Sequence, residues 1–183
     1  MPMALVEYEV RGRVALLTLN RPEARNAVNA EVAAAMEAAV DQLEADPDVW
    51  VGVLGANTSG QTNPVFCAGA DLKAIGADGG PGSLMTERGH FAGFVYRERT
   101  KPVIAAIDGL ATAGGCELAL ACDLVVATTR SAFGLAEVKR NLVAGAGGLS
   151  RTAIGAAAQI CAAKANAAAS ASPGPTRRFT NPS

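Results

Sequence analysis

Short apolar segments typical of strands recur along this sequence, and segments with helical periodicity separate them. Four of these segments are predicted strands: VALLTL (14–19), DVWVGVLGA (48–56), PVIAAIDG (102–109) and LVVAT (124–128). Residues 30–45, AEVAAAMEAAVDQLEA, are predicted to form a helix with Asn29 as its N-cap. A further helix is predicted around residues 84–99. Because strands alternate with helices, the sequence predicts an α/β fold.

The size, charge and N-terminus of the chain exclude several functional classes. Half of the 183 residues are apolar, which is enough for one domain with a buried core. Sixteen basic and seventeen acidic residues give a net charge of -1 without a basic stripe, so nucleic acid is not an expected partner. The N-terminus has no secretory pattern, and no apolar run is long enough to cross a membrane. We therefore expect a cytoplasmic protein that does not bind membranes.

Cysteine and histidine do not form a metal-binding pattern in this sequence. Cys67, Cys116, Cys122 and Cys161 show neither CxxC spacing nor a cluster with histidine, so we expect reduced thiols in the core. The single histidine, His90, has no nucleophile motif nearby and is expected to be solvated or packed on a helix. We predict no metal ion and no separately bound cofactor.

The composition of the chain changes after residue 151. Residues 152–172 contain eleven alanines in twenty-one positions, and SPGPTRRFTNPS follows them. Alanine favours a helix, whereas proline and glycine end one. We predict a core domain over residues 1–151, and over residues 152–183 an alanine-rich helix followed by a disordered tail.

Two glycine-containing turns each lead into a short predicted helix. One is AGADLK around Ala70, and the other is AGGCELAL around Gly114. The backbone N–H groups at a helix start are unpaired and lie at the positive end of the helix dipole. Two such turns together can form an oxyanion hole, because small side chains let an acyl oxygen approach the backbone. The alternative is that each is only a tight turn between a strand and a helix.

Two glutamates lie in apolar surroundings. Glu117 falls in the first turn of the helix that begins near Gly114, where the helix dipole alone favours a carboxylate. This helix is apolar nearly all round, however, and a buried carboxylate must be paired, hydrogen-bonded or protonated. Glu137 precedes two basic residues, so a surface salt bridge is its alternative interpretation. The spacing alone does not decide whether the two carboxylates meet.

Four separated motifs resemble the enoyl-CoA hydratase/isomerase (crotonase) superfamily. In the order and spacing of that family, they are LNRPEARNAVN, FCAGADLKAI, PVIAAIDGLATAGGCELALACDLVVAT and AFGLAEVKRNLVAGAGGLSR. The resemblance extends over about residues 5–151. It implies a spiral of β-β-α turns of the ClpP/crotonase type, from which the family's C-terminal helical region is largely missing.

The resemblance also implies a site for an acyl-CoA thioester. Its oxyanion donors would be the backbone N–H groups of Ala70 and Gly114, and the glutamates that hold a water and move protons would be Glu117 and Glu137. The residues expected to contact coenzyme A or the acyl group are Arg25, Ala68, Asp71, Leu72 and Lys73. Arg25 and Lys73 would lie near the phosphates or the pantetheine arm. Coenzyme A is then part of the substrate rather than a cofactor.

The activity that the resemblance implies is addition of water across the 2,3 double bond of a 2-enoyl-CoA, a lyase reaction of fatty acid metabolism. Two glutamates favour a hydratase over family members that shift a double bond with one carboxylate. A Δ3,Δ2-enoyl-CoA isomerase-like activity and an inactive remnant that binds acyl-CoA are the alternatives. Family members form homotrimers or hexamers through helices that this chain largely lacks.

Overall fold

A computed structural model describes residues 3–77, 80–137, 143–153 and 160–162. The strands in this part of the chain are β1 (Val6–Arg11), β2 (Val14–Leu19), β3 (Val51–Ala56), β4 (Val65–Cys67), β5 (Met85–Thr86), β6 (His90–Phe91), β7 (Val103–Ile107), β8 (Leu110–Thr112), β9 (Leu124–Ala127), β10 (Ala132–Gly134) and β11 (Ile160–Ala162). The α-helices are α1 (Ala30–Ala45), α2 (Leu72–Ala77), α3 (Gly114–Leu120) and α4 (Gly148–Ala153), and 3-10 turns cover Pro22–Ala24 and Pro81–Leu84.

Two sheets, in which most neighbouring strands are parallel, form the framework of the fold. The larger sheet has the order β1-β2-β3-β7-β9-β11, in which β1 is antiparallel to β2 and the remaining neighbours are parallel. The smaller sheet, β10-β8-β4, is parallel throughout, and β5 and β6 form a separate antiparallel pair. Parallel neighbours need long crossovers, which here contain the helices. The predicted α/β class is confirmed.

The helix predicted over residues 30–45 is confirmed, and it covers one face of the larger sheet. The Asn29 side chain caps it by accepting a hydrogen bond from the Val32 N–H at 2.9 Å. Its buried residues are Val32, Ala33, Met36, Ala39, Val40 and Leu43. A Cβ added to Gly52 of β3 would lie 2.9 Å from Leu43 Cδ2. Gly52 therefore lets α1 approach the sheet closely.

The helix predicted around residues 84–99 is wrong. This segment forms β5, β6 and turns, with positive φ angles at His90 (54°) and Ala92 (58°) that interrupt a helix. The Glu37 carboxylate on α1 accepts hydrogen bonds from the N–H groups of Arg88 and Gly89. Contacts with α1 thus pair two backbone N–H groups of the segment, and turns within the segment pair others, such as Ala92 N with Leu84 O. His90 is exposed and meets the Tyr96 ring edge to face at 5.3 Å.

An alanine-rich helix is predicted over residues 152–172. Beyond α4 the structure describes only residues 160–162 of this segment, and there the prediction is wrong. Ile160–Ala162 form β11, which pairs in parallel with β9. The edge of β9 offers unpaired backbone groups, and a segment that contains Ile160 can complete the ladder. Residues 154–159 and 163–183, including the predicted tail, lie outside the described residues. The domain boundary at residue 151 stays a prediction.

Three of the four cysteines are free thiols in the core, as predicted: Cys67, Cys116 and Cys122. Burial raises the pKa of Cys67 and Cys122 to about 12. Across the described residues, no group of three or more His, Cys, Asp or Glu side chains is arranged to hold a metal ion. The described helices are all too short or too polar to cross a bilayer.

Candidate active site

The two predicted glycine turns lie against each other. In the first turn, the Val28 N–H donates to Gly69 O and the Asp71 N–H donates to Val28 O, both at 2.8 Å. This pairing directs the Ala70 N–H to the opposite side. A Cβ added to Gly69 would lie only 2.8 Å from the backbone nitrogen of Gly114, in the second turn. Both turns lead directly into short helices, α2 and α3, as the sequence predicted.

The backbone N–H groups of Ala70 and Gly114 are available to a ligand. Neither donates a hydrogen bond to a residue that the structure describes. Gly114 begins α3, where an N–H has no partner within the helix. The small residues around both groups allow an oxygen atom to approach them. This arrangement suits an oxyanion hole, and the assignment of that role to Ala70 and Gly114 stays a prediction.

Strained backbone at Ala113 turns β8 into α3. Ala113 has φ 51° and ψ -128°, a conformation that favours glycine. Hydrogen bonds on both sides hold it there, because its N–H donates to Gly134 O at 2.8 Å and its carbonyl accepts from Cys116 N at 2.9 Å. Strain of this kind costs about 1–3 kcal/mol and persists only where surrounding contacts impose it.

Dense packing favours glycine at both positions 114 and 115. A Cβ at Gly114 would lie 2.5 Å from Phe91 Cζ, and one at Gly115 would lie 2.1 Å from the Cys67 carbonyl oxygen. Phe91 is buried, and its ring occupies the space that a side chain at position 114 would need. Sequence reasoning missed this role of Phe91, because the residue lies in the segment predicted to form a helix around residues 84–99.

Glu117 lies inside the protein with its carboxylate held by backbone N–H groups. Its residue is only 3% exposed, and Oε1 accepts hydrogen bonds from Ala146 N at 2.8 Å and Gly148 N at 2.9 Å. Burial raises the pKa of Glu117 above its usual range, and the charge of Glu137 adds to that effect. The two N–H donors and the Arg151 charge oppose it. Sequence reasoning missed Ala146 and Gly148; the GAGG run at 145–148, which is typical of a turn, is the signal that could have located them.

Glu137 is the second buried carboxylate of the site. Neither of its oxygens reaches solvent, and neither accepts a hydrogen bond from a described residue. Its charge contributes to raising the pKa of both Glu117 and Cys116. The structure therefore brings together the two carboxylates whose meeting the spacing left open. Burial of both oxygens is incompatible with a surface salt bridge.

The predicted coenzyme A contacts lie at the end of the 3-10 turn Pro22–Ala24, on the loop before α2 and on the first turn of α2. Arg25 is exposed, and its carbonyl accepts from the Ala68 N–H at 3.1 Å, which joins two of the predicted contacts. Leu72 and Lys73 are exposed on the first turn of α2. An exposed apolar side chain beside two exposed cations suits a ligand with both an acyl or pantetheine part and phosphates.

Asp71 differs from the other predicted contacts because the protein already engages its carboxylate. Arg21 Nη1 donates to Asp71 Oδ2 at 2.6 Å, and Oδ1 accepts from Lys73 N at 3.0 Å at the start of α2. The Arg21 guanidinium holds the pKa of Asp71 below its usual range. The carboxylate thus stabilises the loop, and a contact of Asp71 with substrate stays a prediction.

Comparison with known proteins assigns the chain to a family. A profile described as enoyl-CoA hydratase/isomerase matches residues 9–171. The chain belongs to this family. A probable enoyl-CoA hydratase from Rhizobium meliloti (strain 1021) is 40% identical over 144 residues, which is 78% of this chain and 53% of that relative. An (E)-benzylidenesuccinyl-CoA hydratase from Thauera aromatica is 39% identical over 143 residues, 78% of this chain and 54% of that relative.

A solved structure of the family confirms the predicted crotonase-type fold. The crystal structure of enoyl-CoA hydratase from Mycobacterium tuberculosis H37Rv superposes with a TM-score of 0.73 at 49% identity, covering 83% of this chain and 57% of the other. The chain thus spans about half the length of the relatives it matches.

Proposed function

We propose that this chain is built to add water to a 2-enoyl-CoA thioester. The observation that carries the proposal is the pair of buried carboxylates. Glu117 lies on α3 and Glu137 follows β10. The matched relatives are named as hydratases of CoA thioesters, which supports the same reaction class. The chain covers 53% and 54% of the lengths of these two relatives.

The paired turns would stabilise negative charge on the thioester oxygen. Attack of hydroxyl at C3 pushes electrons through the double bond and the carbonyl, giving the oxygen enolate character. The N–H groups of Ala70 and Gly114 are fixed before the reaction and have no competing partner among the described residues. Losing one such donor costs about 3–4 kcal/mol of transition-state stabilisation.

The two glutamates would hold and activate the water. Two N–H donors favour the ionised form of Glu117, which can accept a proton from the water. The buried oxygens of Glu137 lack a described partner and can orient the same molecule. The hydroxyl adds to C3 and the displaced proton reaches C2, so the carboxylates return to their starting state. Proton transfer by positioned groups contributes roughly 10²- to 10⁴-fold.

The coenzyme A portion of the substrate is the ligand proposed for the residues around the start of α2 and for Arg25. Arg25 and Lys73 would meet its phosphates or the polar part of the pantetheine arm, while Ala68 and Leu72 would contact its apolar parts. Assembly as a homotrimer or hexamer and a cytoplasmic location are further proposals, which sedimentation and cell fractionation check.

Hydration of but-2-enoyl-CoA by the purified chain tests the proposal. We expect loss of the enoyl thioester absorbance and a product heavier by one water. Glu117→Gln and Glu137→Gln should each lower kcat by at least about 100-fold. Glu9→Gln, on exposed β1, is the matched control and should keep the wild-type rate. Equal rates in all variants would refute the proposal, and conversion of but-3-enoyl-CoA without hydration would favour the isomerase.

A further inference from the structure

The turn at residues 145–148 has two functional sides. Its amide side faces Glu117, because the N–H groups of Ala146 and Gly148 both donate to Glu117 Oε1. Its carbonyl side faces α4, because Gly147 O accepts from Arg151 N and from Ser150 Oγ, both at 3.0 Å. The position of the carboxylate therefore depends on what holds the carbonyl side.

Arg151 holds that carbonyl side with its guanidinium group. Nη1 donates to Ala146 O at 3.1 Å, and Nη2 donates to Val95 O at 2.8 Å. The guanidinium also lies 5.3 Å from the centre of the Tyr96 ring, within range of a cation–π interaction. One side chain thus ties the turn to the segment that carries Phe91. The planar guanidinium presents donors in a fixed fork that matches these two carbonyls, whereas a lysine ammonium is a compact charge without that fixed geometry.

Gly147 makes room for this contact. Its φ is +89°, and a Cβ there would lie 2.1 Å from Arg151 Nη1 and 3.1 Å from the Tyr96 hydroxyl oxygen. The backbone conformation and the absence of a side chain both suit the placement of the guanidinium against the turn. A residue with a side chain at position 147 would therefore displace the Arg151 guanidinium from the turn.

The titratable and charged groups that affect Glu117 or lie next to it come from three parts of the described chain. Cys116 lies on α3, Glu137 follows β10, and Arg151 lies on α4. Burial raises the pKa of the Cys116 thiol, so that group stays neutral near neutral pH. Arg151 is then the positive charge that opposes the effects of burial and of Glu137 on the pKa of Glu117.

We propose that Arg151 is a positioning residue for Glu117: it fixes the turn whose N–H groups hold the carboxylate, and its positive charge favours the ionised form of that carboxylate. The catalytic meaning of this role rests on the proposed hydration, but the effect on Glu117 does not. Without the Arg151 side chain, two hydrogen bonds are lost: the one to Ala146 O in the turn and the one to Val95 O.

The test compares Arg151→Met, Arg151→Lys and the control Arg13→Met in the full chain. Arg13 also lies over an aromatic ring, at 5.1 Å from Trp50, and donates to a backbone carbonyl, that of Asp48, but on the exposed surface. The first readout is the Glu117 carboxyl titration by ¹³C NMR, assigned with Glu117→Gln. We expect it to move to higher pH in Arg151→Met, much less in Arg151→Lys, and not at all in Arg13→Met.

The second readout is the pH profile of hydration. We expect Arg151→Met to lower kcat about 10- to 100-fold and to move the acidic limb of the profile upward, because a misplaced and protonated Glu117 cannot take a proton from water. An unchanged Glu117 titration in folded Arg151→Met overturns the proposal, even if hydration is confirmed. A shifted titration in a chain without hydratase activity supports the positioning role and rejects the proposed function.

Discussion

Replacing Gly114 with alanine tests how closely the oxyanion turn is packed. The new Cβ would lie 2.5 Å from Phe91 Cζ and 2.6 Å from Cε1, whereas carbon atoms prefer a separation of about 3.5–4.0 Å. The ring or the start of α3 must therefore move by about 1 Å. Phe91 is buried, so we expect a stability loss of about 1–3 kcal/mol from overpacking. A displacement of about 1 Å can cost about 100-fold in kcat, because the donor no longer points at the oxyanion.

The assay is the hydration rate of but-2-enoyl-CoA, measured beside a thermal melt of each variant. Gly55→Ala is the matched control, because a Cβ added there has no neighbour within 4 Å. It should keep the wild-type rate. Adding Phe91→Leu to Gly114→Ala should restore part of both the stability and the rate, since the smaller side chain removes the overlap.

Two results would refute this reasoning. If Gly114→Ala folds and keeps kcat within about threefold of the wild type, the overlap with Phe91 does not displace the Gly114 N–H, and the expected loss of rate is refuted. If Phe91→Leu brings no recovery of either property, the overlap with Phe91 is not the cause of the loss.

Three further perturbations address the strained, charged and buried polar parts of the site. Ala113→Gly should raise stability by about 1 kcal/mol in a denaturant titration, because glycine relieves the positive φ; a destabilised variant would contradict the strain. Glu117→Gln should melt about 2–4 °C higher near neutral pH, which corresponds to about 1 kcal/mol. The raised pKa means that the folded wild type binds this proton more tightly than the unfolded chain, so its stability falls as pH rises through that pKa. The advantage of Glu117→Gln should therefore shrink on acidification, and a constant advantage would exclude titration of Glu117 as its source. Asn26→Ala should cost about 3 kcal/mol, because the buried side chain accepts from Arg21 N and donates to Asn57 O and Val65 O; a loss under about 1 kcal/mol would contradict that account.

Periodicity predicts the elements of this fold where one element's own sequence decides its structure. The predicted helix over 30–45 and the strand over 14–19 have the observed bounds, because each shows a clear apolar pattern. The segment 84–99 contains residues compatible with a helix, but Glu37 on α1 binds its backbone N–H groups. Such a distant contact has no signature within the segment itself.

The candidate site divides in the same way. The glycine turns and the buried helix around Glu117 follow from local composition, and α3 is buried along its whole length. The meeting of Glu117 with Glu137 depends on how the chain packs around the smaller sheet, which spacing cannot specify. The roles of Phe91 and Arg151 depend on contacts across more than 20 residues of sequence, with Gly114 and Val95 respectively.

The most direct test of the central claim is the product formed from but-2-enoyl-CoA by the wild-type chain and by Glu137→Gln. Glu137 has no described hydrogen-bond partner that would explain its burial, so its carboxylate should matter to the reaction more than to the fold. We predict a 3-hydroxyacyl thioester from the wild type and at least about a 100-fold slower reaction from an equally folded variant. Hydration at the same rate by both chains, or no hydration by a folded wild type, would contradict the account.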